Sequence, residues 1–356
     1  MKTDTRHLTA TPADLAAAAD LLKRGEVVAI PTETVYGLAA DALNADAVRR
    51  IFEAKGRPMD NPLIVHIADI SQWDALVTEV TPVARKLADA FWPGPLTMIL
   101  PRSSIVPNAT TGNLDTVAVR FPSHPIAQEI IRQSGCVLAA PSANRSGSPS
   151  PTTAAHVIAD LDGKIAAVVD GGSCDVGLES TVVTLVGDTP RLLRPGGITP
   201  EMLRTVVGEI EIDHAVTEEL NVGETAASPG MKYKHYAPTA HVILVTGDAD
   251  TYRRFVRQHA TAEDTALCLE EDVEHIGIAA VTYGTRREPA TQAQGLFDAL
   301  RTLDARGATR VFAACPDPEG IGLAVYNRLL RAAGFEVISG DDNVSADRAD
   351  GSDGRG

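Results

Sequence analysis

Lys55 and Arg57, separated by one glycine in Ala54-Lys55-Gly56-Arg57-Pro58, are the side chains best placed for chemistry in this sequence. A helical pattern carrying Ile51 and Phe52 runs into the two cations, and Pro58 forbids its continuation before the apolar run Pro62-Leu63-Ile64-Val65-His66-Ile67. The break projects both cations into a loop, where they can share one polyanionic ligand. A solvated surface corner has the same local pattern. Three other loops bear on the choice. Pro31-Thr32-Glu33-Thr34-Val35-Tyr36-Gly37-Leu38 sets two hydroxyls and a carboxylate directly after a buried run; a hairpin looks similar, but hairpin turns prefer Asn-Gly or Asp-Gly. Pro141-Ser142-Ala143-Asn144-Arg145-Ser146-Gly147-Ser148-Pro149-Ser150 gathers hydroxyls, an amide and a cation, a set suited to phosphate or carboxylate and equally to a polar loop without a ligand. Glu179-Ser180-Thr181 opens an apolar run, Leu193-Arg194-Pro195-Gly196 closes one, and Arg120 ends Val117-Ala118-Val119. His66 sits within an apolar run, where a satisfied core histidine is the default. The common phosphate cradles GxxxxGK[ST] and GxGxxG do not occur.

These groups need a frame. Leu15, Ala18, Ala19 and Leu22 repeat at helical spacing, Gly25 ends that helix, and Val27-Val28-Ala29-Ile30 reads as a buried strand. The patterns then predict helices over 45–55, 82–91, 124–133, 152–160 and 199–206. Strands are predicted at 62–67, 95–100, 116–121, 136–140, 165–169 and 181–186. Such alternation argues for an α/β domain over residues 1–207 with one sizeable sheet whose strands empty into the polar loops. Residues 208–239 read as a linker, and its run Ser228-Pro229-Gly230-Met231-Lys232-Tyr233-Lys234-His235-Tyr236-Ala237-Pro238 is too aromatic and cationic for a plain spacer. A second, smaller α/β unit is predicted over 240–339. Its strands fall at 241–246, 265–269, 278–282 and 309–314, and its helices at 249–258, 290–306 and 319–333. The last helix shows Ile321, Ala324, Val325 and Leu329 on one face. The pairs Arg253-Arg254 and Arg286-Arg287 read as solvated faces. Residues 340–356 lack anything to bury and are predicted to be disordered.

Composition narrows the class. The chain has 356 residues with a net charge of −15. Residues 208–228 hold six acids and no base, and the tail holds five acids and two bases, so much of the acidity lies outside the predicted domains. Neither domain has the basic excess of a protein that grips a nucleic-acid backbone, and no stable nucleic-acid binding is expected. No apolar run approaches the roughly 18 to 20 residues that cross a bilayer. The N-terminus lacks the apolar core of a signal peptide, and the four cysteines form no CxxC pair. These features predict a cytoplasmic protein without membrane association, disulfides or a cysteine-bound metal.

PTETVYGL, KGRP, NPLIVHI, TVAVRFP, PSANRSG, GLESTVV and LLRPG together resemble the YrdC-like catalytic domain of threonylcarbamoyl-AMP synthases. SPGMKYKHYAP and the unit after it look like the long, two-domain form, so the resemblance spans roughly residues 10–339. It implies a twisted mixed-sheet catalytic domain followed by a smaller Rossmann-like domain. The implied reaction joins L-threonine, bicarbonate and ATP into L-threonylcarbamoyladenylate and pyrophosphate, for threonylcarbamoyl modification of tRNA by downstream transferase proteins. It further implies an ATP site of Lys55, Arg57, Asn61, Thr116, Ser142, Asn144, Ser150 and Arg194, with Tyr236 closing over the nucleotide. Thr34, His66, Arg120 and Ser180 would bind threonine, and Lys55, Arg57, Ser142 and Asn144 are the expected catalytic residues. Mg2+ would be held by phosphates and water, without direct protein ligands. Two other readings stay open on sequence: a non-catalytic RNA-binding domain, disfavoured by 4% aromatic content, and a carbamoyltransferase accessory domain, normally embedded in much larger chains.

Overall fold

A computed structural model describes residues 4–59, 61–219 and 236–341. Eleven strands form one mixed sheet: β1 (Arg6–Leu8), β2 (Val28–Ile30), β3 (Gly37–Asp41), β4 (Ile64–His66), β5 (Leu96–Pro101), β6 (Thr116–Arg120), β7 (Leu138–Ala139), β8 (Ala167–Val169), β9 (Thr181–Thr184), β10 (Arg191–Arg194) and β11 (Glu211–Ile212). Their order is β1-β8-β2-β3-β7-β4-β6-β5-β9-β10-β11. Five further strands, β12 (His241–Thr246), β13 (Thr265–Cys268), β14 (Ala279–Thr282), β15 (Arg310–Ala314) and β16 (Val337–Ser339), form a second sheet in the order β14-β13-β15-β12-β16. Every pairing in it is parallel. The large mixed sheet and the smaller parallel one agree with the architecture predicted from the alternating patterns. Among the described residues no helix is long and apolar enough to cross a membrane.

The helix Ala45–Lys55 shows how local sequence sets the frame. The Asn44 side chain accepts from the N–H groups of Asp46 and Ala47 and starts it, while Val48, Ile51 and Phe52 bury one face. Each such side chain contributes about 1.5 to 3 kcal/mol. Gly56 stops the helix at φ +62°, a left-handed turn that costs other residues more. Lys55 is thereby left on the last turn and Arg57 just beyond it.

Several expectations need correction. The segment 31–36 joins β2 to β3, which pair antiparallel, so it is the connection of a wide hairpin. It needs no Asn-Gly because the Thr32 hydroxyl does the turning: it donates to the Val35 carbonyl and accepts from the N–H groups of Thr34 and Val35. Residues 208–219 are not free linker. β11 extends the sheet beside β10, and Ala215 and Val216 are buried. Residues 220–235, most of the predicted docking run, lie outside the described residues, as do 342–356 of the tail. Arg253 and Arg286 are not idle surface charges, since both bond the fully buried Asp272, at 2.8 and 2.9 Å. The last helix runs Gly322–Ala332 and is buried nearly all round, including Asn327, Arg328 and Arg331. It lies against the first sheet's edge, where Asn327 donates to the Val216 carbonyl at 2.7 Å and Arg331 to that of Ala215 at 2.8 Å. Val35 and Leu178 share one buried cluster with Tyr236, Leu296, Phe297 and Leu300, so the two sheets are joined by a common apolar core.

Candidate functional site

The loops singled out in the sequence meet at one cleft, partly open to solvent. Topology brings them there. β4 and β6 run parallel with His66 opposite Arg120, so both strands present their last residue at the same edge. β5 pairs parallel with β9, which brings Glu179 and Ser180, just ahead of β9, to that edge as well. Gly196 lets the turn after β10 close on them: a Cβ there would lie 2.4 Å from the Thr181 nitrogen and 2.6 Å from the Glu179 carbonyl oxygen. Arg194 is thus held against Ser180, donating through Nε to its carbonyl at 3.1 Å and through Nη2 to its hydroxyl at 3.2 Å.

At the floor of the cleft Arg120 is 4% exposed. Its Nη1 donates to the Thr34 hydroxyl at 2.8 Å, and its Nη2 lies 2.7 Å from the Glu33 carboxylate. Burial pushes the Glu33 carboxyl up, but the Arg120 charge, its hydrogen bond and the backbone N–H groups of Glu33 and Ser123 together outweigh it and hold the group below its usual pKa. Ser180, 1% exposed, shares a hydrogen bond of 2.7 Å with Thr97. His66 lies beside them with Nδ1 3.1 Å from the Ile64 carbonyl oxygen. Burial, seconded by the neighbouring Arg120 charge, lowers its pKa to about 3, so the ring is neutral at physiological pH.

That shift predicts an acid-linked stability loss. The unfolded chain protonates His66 near its ordinary value of 6.5 while the folded chain resists, so stability falls as pH drops from 6.5 toward 3. Between pH 7 and 5 a His66→Gln variant is expected to lose roughly 2 kcal/mol less than the parent, at about 1.4 kcal/mol per pH unit. Urea unfolding at the two pH values measures this, and equal losses in both proteins would exclude it.

The same cleft is lined by Lys55, Arg57, Ser142, Asn144, Arg194 and Tyr236. Lys55 is buried, and its Nζ donates to the carbonyls of Ser142 and Asn144 and to Asn144 Oδ1, the last two at 2.8 and 3.3 Å. It therefore clamps the helix end to the loop 141–150 and charges the wall from behind. Burial, then the nearby Arg57 charge, draws its pKa well below the ordinary lysine value. Ser142 donates to Asn144 Oδ1 at 2.6 Å, and Asn144 Nδ2 donates to the carbonyls of Arg145 and Ser148 at 2.7 and 2.8 Å. Asn144 is thus the loop's internal brace. Burial brings Arg194 down to about 10, which still leaves it charged. Among the described residues, the cleft lining carries four cations, Lys55, Arg57, Arg120 and Arg194, against one carboxylate, Glu179. This balance favours an anionic ligand.

Three predicted site residues do not line the cleft. Asn61 is fully buried ahead of β4. Thr116 opens β6, about 13 Å along the strand from Arg120 at roughly 3.3 Å per residue. Ser150 is fully buried behind the wall, with its hydroxyl on Glu179. Sequence reasoning did not assign Glu33, Thr97 or Glu179. Glu33 and Glu179 had a visible signal, each being an acid set beside a hydroxyl at a strand end, whereas Thr97 is one β-branched residue in an apolar strand and carried none. Among the described residues no three His, Cys, Asp or Glu side chains group to hold a metal ion.

Fold and site together define a two-unit α/β protein with a cation- and hydroxyl-lined cleft at the strand ends. Residues 20–196 match the Sua5, YciO and YrdC family model, described as telomere recombination. Residues 198–334 match the model described as the threonylcarbamoyl-AMP synthase C-terminal domain. The chain belongs to the threonylcarbamoyl-AMP synthase family, in its two-domain form. It is 47% identical to the threonylcarbamoyl-AMP synthase of Bacillus subtilis (strain 168), covering 94% of this chain and 97% of that one. It is likewise 47% identical to that of Pyrococcus abyssi, covering 90% and 94%. The crystal structure of P. abyssi Sua5 complexed with L-threonine superposes with a TM-score of 0.89 at 44% identity, covering 95% of this chain and 99% of the other.

Proposed function

We propose that this protein condenses L-threonine, bicarbonate and ATP into L-threonylcarbamoyladenylate with release of pyrophosphate. One observation carries the reading beyond family membership. Arg120, Thr34 and Ser180 line the same cleft as the cations Lys55, Arg57 and Arg194. An amino acid and a triphosphate can therefore sit side by side.

In this mechanism the threonine carboxylate engages Arg120, flanked by Thr34, His66 and Ser180. The neutral amine adds to bicarbonate, giving a carbamate and water. A carbamate oxygen then attacks the α-phosphorus, the bond to the β-phosphate oxygen breaks, and pyrophosphate leaves with that electron pair. The protein's share is positioning and charge neutralisation. His66, being neutral, adds no repulsion toward an incoming ammonium. Lys55 and Arg57 offset charge building on the leaving group, Arg194 adds a third cation to the nucleotide side, and Ser142 and Asn144 shape the loop that receives it. Asn61 and Thr116 do not line the cleft, and Ser150 supports it from behind through Glu179. A divalent cation is expected of ATP chemistry, with Mg2+ the ordinary choice. Glu179 is already engaged by Arg328 and Ser150, so such an ion would be held mainly by phosphate oxygens and water.

The adenylate is then consumed by proteins that transfer the threonylcarbamoyl group to tRNA, a cytoplasmic process. The reaction predicts threonine-dependent release of pyrophosphate from ATP in bicarbonate buffer. Mass spectrometry of the product would show the threonylcarbamoyl adenylate. No turnover, together with tight RNA binding, would overturn the reading in favour of a nucleic-acid-binding domain.

A further inference from the structure

The second unit reaches the back of the cleft through two arginines. Arg328, on the helix Gly322–Ala332, is 0% exposed. Its Nε donates to Glu179 Oε2 at 2.9 Å, and its Nη1 donates to the Pro195 carbonyl at 2.9 Å and to Asn327 Oδ1 at 2.8 Å. The other Glu179 oxygen receives the Ser150 hydroxyl. Arg301, on the helix Pro289–Ala305, donates to the Pro149 carbonyl and, at 2.9 Å, to Asp160 Oδ2. Asp160 in turn accepts the backbone N–H of Arg145 at 3.3 Å. The loop 141–150 is therefore gripped at Pro149, at Ser150 and at Arg145, each time by a chain of contacts that ends in the second unit. Arg328 also lies 5.5 Å from the ring centroid of Tyr236, which in turn lies 5.3 Å from that of Phe297.

The charge balance gives these contacts a consequence. Glu179 is the one carboxylate among the described residues that line this cation-rich cleft. Burial pushes its carboxyl up, and the charges of Arg328 and then Arg194 more than offset this, so the group stays ionised. Without Arg328, Glu179 would take Arg194 as its counter-ion or repel the triphosphate. A buried ion pair of this kind is weak evidence of added stability, because its desolvation cost offsets its attraction. Its informative property is where it puts the charge.

We propose that Arg328 and Arg301 are positioning residues for the nucleotide half of the cleft: the second unit completes the site by neutralising Glu179 and pinning Pro149 and Ser150. This rests on the reading of Lys55, Arg57 and Arg194 as the triphosphate wall. It also assigns the second unit a part in substrate affinity, as distinct from a purely structural one.

The test uses the full chain. Arg328→Gln is expected to raise the KM for ATP about tenfold or more, by analogy with the loss of an outer partner at other charged sites. The KM for threonine should stay within about twofold, since the Arg120 pocket keeps its contacts. Arg301→Gln, at a side chain 15% exposed and thus less needed for folding, should raise the KM for ATP in the same sense. Gln294→Ala removes an inter-unit hydrogen bond to the Asp175 carbonyl away from the cleft and should leave both constants unchanged. Adding Glu179→Gln to Arg328→Gln removes the stranded carboxylate and should return the KM for ATP toward the parent value. Unchanged KM for ATP in folded Arg328→Gln and Arg301→Gln overturns the proposal. So does a parallel loss for both substrates, tracking thermal stability and not relieved by Glu179→Gln. If Lys55→Ala is inactive while Arg328→Gln behaves as the parent, this inference alone fails; if Lys55→Ala is fully active, the reading of the cleft itself fails.

Discussion

Replacing Arg120 with alanine is expected to abolish measurable threonine saturation and to cost the fold about 3 to 5 kcal/mol, the usual consequence of removing one member of a buried ion pair. The cause is Glu33. Its carboxylate lies 2.7 Å from Arg120 and is itself buried. In the intact protein the arginine holds the Glu33 pKa down, so the pair contributes stability above the carboxyl's ordinary range and loses it as pH falls through the lowered value. Without the arginine, burial is opposed only by hydrogen bonds from the backbone N–H groups of Glu33 and Ser123, and the shift is expected to reverse. The folded state then prefers a protonated Glu33, and stability falls as pH rises past about 4.5. Arg120→Ala should accordingly be more defective relative to the parent at pH 8 than at pH 5, as denaturant unfolding would show. Adding Glu33→Gln should recover most of the lost stability, since a neutral amide tolerates burial better than a lone carboxylate. It should not recover threonine binding. A double variant that binds threonine normally would show that Arg120 serves only to neutralise Glu33.

The second large effect belongs to Lys55. Lys55→Ala is expected to reduce transition-state stabilisation by about 2 to 4 kcal/mol, or roughly 30- to 1000-fold in kcat, the range found on deleting one preorganised charge donor. Steady-state pyrophosphate release measures it, and cooperative urea unfolding shows whether the fold persists. Lys55→Arg should not restore the rate. Nζ is a point donor among three oxygens, the carbonyls of Ser142 and Asn144 and Asn144 Oδ1, with no room for a planar fork. A rate within threefold of the parent in Lys55→Ala would remove Lys55 from the mechanism.

The chemistry of the cleft was legible wherever it was written locally. Lys55-Gly56-Arg57-Pro58 announces a helix stop with two cations, and the structure has that stop at Gly56 with both cations on the cleft. Arg120 at the end of an apolar strand and the hydroxyl-rich run 141–150 were equally visible, because a strand's last residue and its following loop share one edge of the sheet. Contacts between distant segments were not legible. Glu179 and Arg328 are 149 positions apart, and within its helix Arg328 looks like any solvated cation until a second surface covers it. The same holds for Asp272, which turns Arg253 and Arg286 from apparent surface charges into partners of a buried acid. The segment 31–36 misled for a different reason. Its turn is made by a side-chain hydroxyl rather than by residues tolerant of positive φ, so the usual hairpin composition is missing. The linker reading failed at 208–219 because two residues paired to an existing edge, Glu211–Ile212 on β10, suffice to fold an otherwise unpatterned acidic stretch.

Exposure is uneven along the cleft. Thr34, His66, Arg120 and Ser180 are buried, whereas Arg57, Ser142 and Ser148 are partly open and Ser146 is exposed. On the proposed reading, an amino acid seated against Arg120 would have to load before a bulky triphosphate closes the way in. The small inorganic product would then be free to leave first, and the labile mixed anhydride would be held back from water until a recipient is at hand.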